Sequence, residues 1–156
     1  GPDTVPRVYP VRVDTHQTGI IEFASGAVIT VLGSYEVYRG SHPFLELYGD
    51  GGSISMHHPN YFGGPVKLFL PGYEDWRDVP PAHIYNSDAR SLGVADMVDA
   101  IAHDRPHRAS GELAFHVLEI LLAFVRSGAA GKRVELESRC DRPSPMPLGL
   151  RDGEVR

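Results

Sequence analysis

The stretch RPHRASGELAFHVLEILLAF, residues 105–124, sets cations and imidazoles ahead of an apolar run. Within it Glu112, His116 and Glu119 fall at i+4 and then i+3, so on a helix they share a face within reach of one ion. His57 and His58 would add ligands from a strand, although strand neighbours point to opposite faces. That set is the raw material of a metallo-hydrolase. The same residues also fit a packed helix. Glu112 then sits at the positive end of the helix dipole, His116 packs or bonds to a neighbour, and Glu119 pairs with an arginine. Neither helical stretch carries an H-x-x-x-H pair, and no carboxylate cluster supports a metal.

Other reactive types are poorly placed. Cys140 lies beside proline-rich coil with nothing local to activate it. Ser25 and Ser110 each precede a glycine in turn or cap positions, without a G-x-S-x-G elbow. Asp75, Asp78 and the histidines stay open as acid–base groups, but no spacing singles them out. Gly49 to Gly52 contains G-x-G between two strands, so it reads as a turn and not as a dinucleotide loop opening a helix. No catalytic, cofactor-binding or metal-ligating residue is assigned.

The loop 80–93, PPAHIYNSDARSLG, offers His83, Tyr85, Asn86, Asp88 and Arg90. Those groups suit hydrogen bonding to a sugar or polyol. The alternative is a surface connection in which Asp88 and Ser91 serve as turn and cap. The loop 58–65, HPNYFGGP, is a second, weaker stretch of the same kind.

Strands must position these loops. Val8–Val13, 16–24 and 27–38 are β-prone, the last two flanking Ser25-Gly26. Residues 44–49 and 53–58 flank Asp50-Gly51-Gly52, where glycine supplies the positive φ of a tight hairpin turn. Residues 66–70 and 76–79 complete the strands. Alternation gives one aliphatic face, suited to a covering layer of helices. The other face is mixed, carrying Thr30, Leu32, Ser34, Tyr38, Phe44, Glu46 and Tyr48. A solvated face is usually more polar, which makes these seven the expected interface with another chain or domain.

Helices follow. Val94, Met97, Val98 and Ile101 make an apolar stripe with Asp96 and Asp99 off it, ending near His103-Asp104 because Pro106 disfavours helical geometry at Arg105. A second helix starts at the N-cap Ser110, buries Leu113, Val117, Ile120, Leu121 and Phe124, and stops at Gly128. After Gly131, KRVELES reads as an edge strand, and RPSPMPLG as a loop or strap. Strands first and helices second give a single α+β domain over 1–156, with 1–10 an N-terminal extension and 140–156 a Pro-rich tail.

The bulk composition agrees. The 156 residues are 42 % hydrophobic and 22 % charged, enough for one globular core. A net charge of −5 lacks the basic excess of a nucleic-acid binder. One cysteine excludes an internal disulfide framework, and no apolar run reaches membrane-spanning length, so a reduced, cytoplasmic protein is expected. The chain opens Gly1-Pro2, as after protease cleavage or within a longer protein.

GIIEFASGAVITVLGSYEV, LELYGDGGSI, PNYFGGPVKL, GVADMVDAI and RPHRASGELAFHVLEIL follow one another in the order of a known domain. From about Val11 to Leu148 the chain resembles the C-terminal domain of the Gfo/Idh/MocA family of NAD(P)-dependent oxidoreductases. The resemblance implies a large, mostly antiparallel open sheet with helices on one face, like the C-terminal domain of glyceraldehyde-3-phosphate dehydrogenase. It implies a homo-oligomer formed through the other face, and hydride transfer between NAD or NADP and a sugar, inositol or related compound. The family's Rossmann domain and its Glu-Lys-Pro motif have no counterpart here, because neither Lys67 nor Lys132 precedes a proline. The helix bearing the family's active-site histidine has none either.

Three readings follow. The chain is the substrate-shaping and oligomerising domain of such an enzyme, inactive alone. Otherwise it is a stand-alone, non-enzymatic binding module using the mixed face, or a metallo-hydrolase built on Glu112 and His116.

Overall fold

The computed structural model describes residues 10–87 and 89–156. They group into two compact units, one comprising the described part of Gly1–Gly40 with Leu121–Val134, the other Ser41–Ile120 with Glu135–Arg156.

The first unit holds β1 (His16–Glu22) and β2 (Val28–Ser34), paired antiparallel with Gly19 opposite Val31. The Ser25-Gly26 turn closes the hairpin: Gly26 takes φ +91°, and its N–H donates to Phe23 O at 2.9 Å. Strand β2 stops at Ser34, short of the expected Tyr38, because the Ser34 hydroxyl accepts the Glu36 N–H at 3.1 Å and bends the chain. The expected strand at Val8–Val13 lies partly outside the described residues, and from residue 10 to 13 the chain is irregular. One face of the hairpin is covered by the end of α2 (Gly111–Ala130): the Phe124 ring lies so close to Gly19 that a Cβ there would sit 2.5 Å from it. Helix α2 runs past Gly128 and ends in a Schellman turn. Gly131 takes φ +61°, and Lys132 N donates to Ser127 O. The two alanines after Gly128 favour continuing the helix, and residue 131 is the first with left-handed backbone.

The second unit is built on a four-stranded antiparallel meander, β3 (Leu45–Gly49), β4 (Gly52–Met56), β5 (Val66–Phe69) and β6 (Arg77–Val79). Its register sets Leu47, Ile54 and Leu68 in one row and Leu45, Met56, Val66 and Val79 in the next, the aliphatic face expected from alternation. The expected single large sheet is instead two small ones. The bend at Ser34, followed by irregular chain through Gly40 and Pro43, separates the hairpin from the meander in sequence.

Helix α1 (Leu92–Ala102) inverts the expected burial. Asp96 is 5 % exposed and Ala100 is buried, whereas Val94, Val98 and Ile101 are exposed, Ile101 at 76 %. The polar side wins because Arg105, Arg108 and Arg156 come to its carboxylates and Val155 seats beside them. The helix ends at His103 as expected. Asp104 adopts φ +48° and Arg105 N donates to Ala100 O at 3.0 Å. KRVELES forms no strand. The backbone donors of Glu137 and Ser138 are taken at 2.9 Å each by the Glu119 carboxylate. By length and composition α2 would suit a bilayer. Its Glu119 and His116 bind chain at 137–138 and its Phe124 packs on β1, but Val117 and Leu121, expected to be buried, are 47 % and 51 % exposed.

Candidate functional site

The loop after β4 and the loop after β6 meet. A Cβ on Gly63 would lie 1.7 Å from the Asn86 carbonyl oxygen, so only glycine lets the two backbones touch. A Cβ on Gly64, at φ +144°, would lie 2.4 Å from the His57 ring. Arg90 crosses from the second loop to donate to Asn60 O at 3.2 Å and Asn60 Oδ1 at 3.3 Å. Inside the first loop His58 Nδ1 accepts the Asn60 N–H at 3.0 Å. The His58 ring packs, tilted, against Phe44, 4.2 Å away by centroid, and edge-on against Tyr61, 5.3 Å away. His57 Nε2 lies 3.1 Å from Tyr61 O, while its Nδ1 is buried without a partner.

Of the four residues expected to touch substrate, Arg90 and Asn86 therefore stand where the loops join. His83 is half-buried on the same loop. The Tyr85 hydroxyl is engaged elsewhere, donating to Glu154 O at 2.6 Å. Asp88 lies outside the described residues. Ser91 stands at the N-cap of α1 but makes no side-chain cap bond. The cluster can orient a polar ligand by amide, imidazole and backbone groups around one guanidinium, and among the described residues it shows no nucleophile–base pair.

The seven residues expected at an interface divide between the units. On β1–β2 the face away from Phe124 pairs Leu32 with Thr18 and Thr30 with Ile20. Leu32 is 55 % exposed, and Ile20 and Val28 are also open to solvent. Ser34 is half-buried at the strand end, and Tyr38 is fully exposed outside any strand. In the other unit Phe44 caps His58. Glu46 accepts from the Tyr48 hydroxyl, and that bond raises the phenol's pKa above its ordinary range.

The opening triad is taken up in contacts within the chain. Ser110 Oγ accepts the Leu113 N–H at 3.2 Å, the expected N-cap. Glu112 is held below the usual carboxylate range by its own backbone N–H and by the Ser110 hydroxyl. His116 Nδ1 meets Ser138 Oγ at 2.8 Å, and Glu119 binds the same serine. Among the described residues no three His, Cys, Asp or Glu side chains gather to hold a metal. Nor do the residues fit a dinucleotide: Gly49 to Gly52 closes the β3–β4 hairpin and opens no helix.

Sequence reasoning missed the densest polar cluster. Asp96 takes Arg105 at 2.8 Å, the Arg108 N–H at 2.8 Å and the Arg108 guanidinium, while Asp99 takes Arg105 at 2.7 Å and Arg156 at 3.1 Å. Burial pushes the Asp96 carboxyl up, but the Arg108 N–H and the two guanidiniums outweigh it and hold it below the usual range. For Asp99 the Arg105 side chain is the main cause of a similar lowering. The visible signal was two aspartates three apart on a helix, followed by Arg-x-x-Arg.

A family profile described as oxidoreductase family, C-terminal alpha/beta domain, matches residues 5–136 and spans both units. Against curated proteins and against solved structures the chain has no match. The strands-then-helices order, the antiparallel sheets and the profile agree, and the chain belongs to the Gfo/Idh/MocA oxidoreductase family as its C-terminal domain.

Proposed function

We propose that this domain shapes the substrate site and assembles the subunits of an NAD(P)-dependent oxidoreductase acting on a small sugar or polyol, and that it is inactive without a nucleotide-binding Rossmann domain. The observation that carries the reading is the junction of the two loops at Gly63, Asn86 and Arg90. Apart from Arg90, the described polar side chains of the two loops are amides, serines, phenols and imidazoles, a lining suited to a polyhydroxyl compound. Acid–base chemistry and the dinucleotide belong, on this reading, to the other domain. The single half-buried cysteine suits a reducing cytoplasm.

Saturation-transfer NMR on the chain, with a panel of hexoses and inositols, tests the substrate wall. Binding should weaken in Asn86→Ala and Arg90→Ala. Fluorescence titration with NADH and NADPH should show none, and tight dinucleotide binding would overturn the division of labour. The exposed Ile20, Val28 and Leu32 also favour a second reading, a stand-alone binding module using the β1–β2 face. That reading predicts no gain of activity when a Rossmann domain is joined to this chain.

A further inference from the structure

Residues 151–156 carry no helix or strand, yet Val155 is 6 % exposed, while Ala100 on α1 is the other buried apolar residue among those described. An irregular segment normally keeps its side chains at the surface. Here side chains from elsewhere hold it. Tyr85 donates its hydroxyl to Glu154 O at 2.6 Å. Arg108 donates through Nη1 to Val155 O and through Nε to Ser144 O, each at 3.1 Å. Arg156 Nε lies 3.1 Å from Asp99 Oδ1. Within the segment Arg151 N donates to Glu154 Oε2 at 2.8 Å and Glu154 N to Arg151 O at 3.0 Å, which closes it into a turn. The turn lies beside Ala95, Val98 and Ala102 of α1.

Arg108 is itself fixed. Asp96, 5 % exposed, takes both its guanidinium and its backbone N–H. One buried carboxylate thus orients a guanidinium that holds Val155 O within the segment and Ser144 O ahead of it. Nothing else of ladder type secures the segment. Pro143, Pro145 and Pro147 precede it, and each lacks the N–H that a strand or helix would need.

We infer that residues 151–156 form a releasable latch keyed by Asp96 and Arg108. Closed, it occupies the Tyr85 hydroxyl; released, it returns that hydroxyl to the 83–90 loop. The latch does not depend on the loop being a substrate wall, since its contacts are internal to the chain.

Hydrogen exchange and tyrosine nitration on the full chain test it. In the unaltered chain the amides of Arg151 and Glu154 should be protected relative to a free peptide of the same sequence, and Tyr85 should nitrate slowly. In Arg108→Lys, which cannot fork, those amides should exchange about tenfold faster or more, the worth of one charge-assisted bond. Tyr85 should nitrate faster while the strands keep their protection. Peptide-like exchange of the tail in the unaltered chain, or Tyr85 nitration unchanged by the substitution, would overturn the latch. Should Arg108→Lys also loosen the strands, Val155→Gly, which removes only the seated side chain, decides by the same two readouts.

Discussion

At Gly63 a single methyl group meets a backbone carbonyl, and a backbone cannot swing aside as a side chain can. Gly63→Ala should part the two loops and cost about 1–3 kcal/mol, the range for overpacking a closed contact. Gly33, with nothing within 4 Å, is the control, and Gly33→Ala should leave the urea midpoint unchanged or slightly raised. Equal effects at both positions would remove the argument for close approach. The carboxylates carry a second prediction. Asp96 and Asp99 have folded pKa values below the ordinary range. Each binds fewer protons folded than unfolded, so stability rises with pH across that window. Their contribution is complete above the unfolded value of about 3.9 and fades as pH falls through the lower folded values. The urea midpoint should therefore drop from about pH 4 downward, and Asp96→Asn should flatten part of that drop. A midpoint unchanged through this window would contradict the role given to both carboxylates. Turn glycines such as Gly26 were legible because their need is local. Gly63 was legible only as part of a loop, since its partner, Asn86, comes from another one.

Elements were read well where one principle dominated. Both hairpins, both helices and the Ser110 cap stand where spacing placed them. Ser110→Ala should lower stability by about 1 kcal/mol and fray the first turn of α2, seen as reduced helical ellipticity. Besides the strand and helix ends, α1 and KRVELES were misread because a charged side chain outranked the local pattern. On α1 the apolar stripe suggested the buried side, but arginines from residues 105, 108 and 156 converge on the opposite side and bury Asp96. That convergence is long-range and leaves no period in the sequence. At KRVELES the β-propensity was real, yet the Glu119 carboxylate supplies the acceptors that a partner strand would offer. Removing it by Glu119→Ala leaves two amides without those acceptors and should cost about 1–3 kcal/mol. Glu119→Gln, which keeps one acceptor oxygen, should cost less. If both variants melt alike, the carboxylate is not standing in for a strand.

For the molecule as a whole, what was legible was a family and a domain type, while the continuity of the sheet was not. Strand content and order follow from local patterns, but whether two hairpins join edge to edge depends on the chain between them. There the Ser34 hydroxyl takes the Glu36 N–H and the strand ends. The consequence concerns assembly. A two-stranded sheet is marginal by itself in water, and its unpaired edges and open face invite a partner. Phe124 covers one face of β1–β2, while the other presents Ile20, Val28 and Leu32 among threonines. A lone exposed leucine means little, but three large aliphatic side chains on one face have the composition that an interface core would need. On the assembly reading proposed above, the occupant is a second copy meeting the same face. The chain should sediment as a dimer at tens of micromolar, and Leu32→Glu should convert it to monomer, because a carboxylate there would be buried without a partner. Salt should change the association little, since apolar burial and not charge drives it. A strict monomer at high concentration, or a dimer indifferent to Leu32→Glu, would move the interface elsewhere and leave this face to the domain's other neighbours.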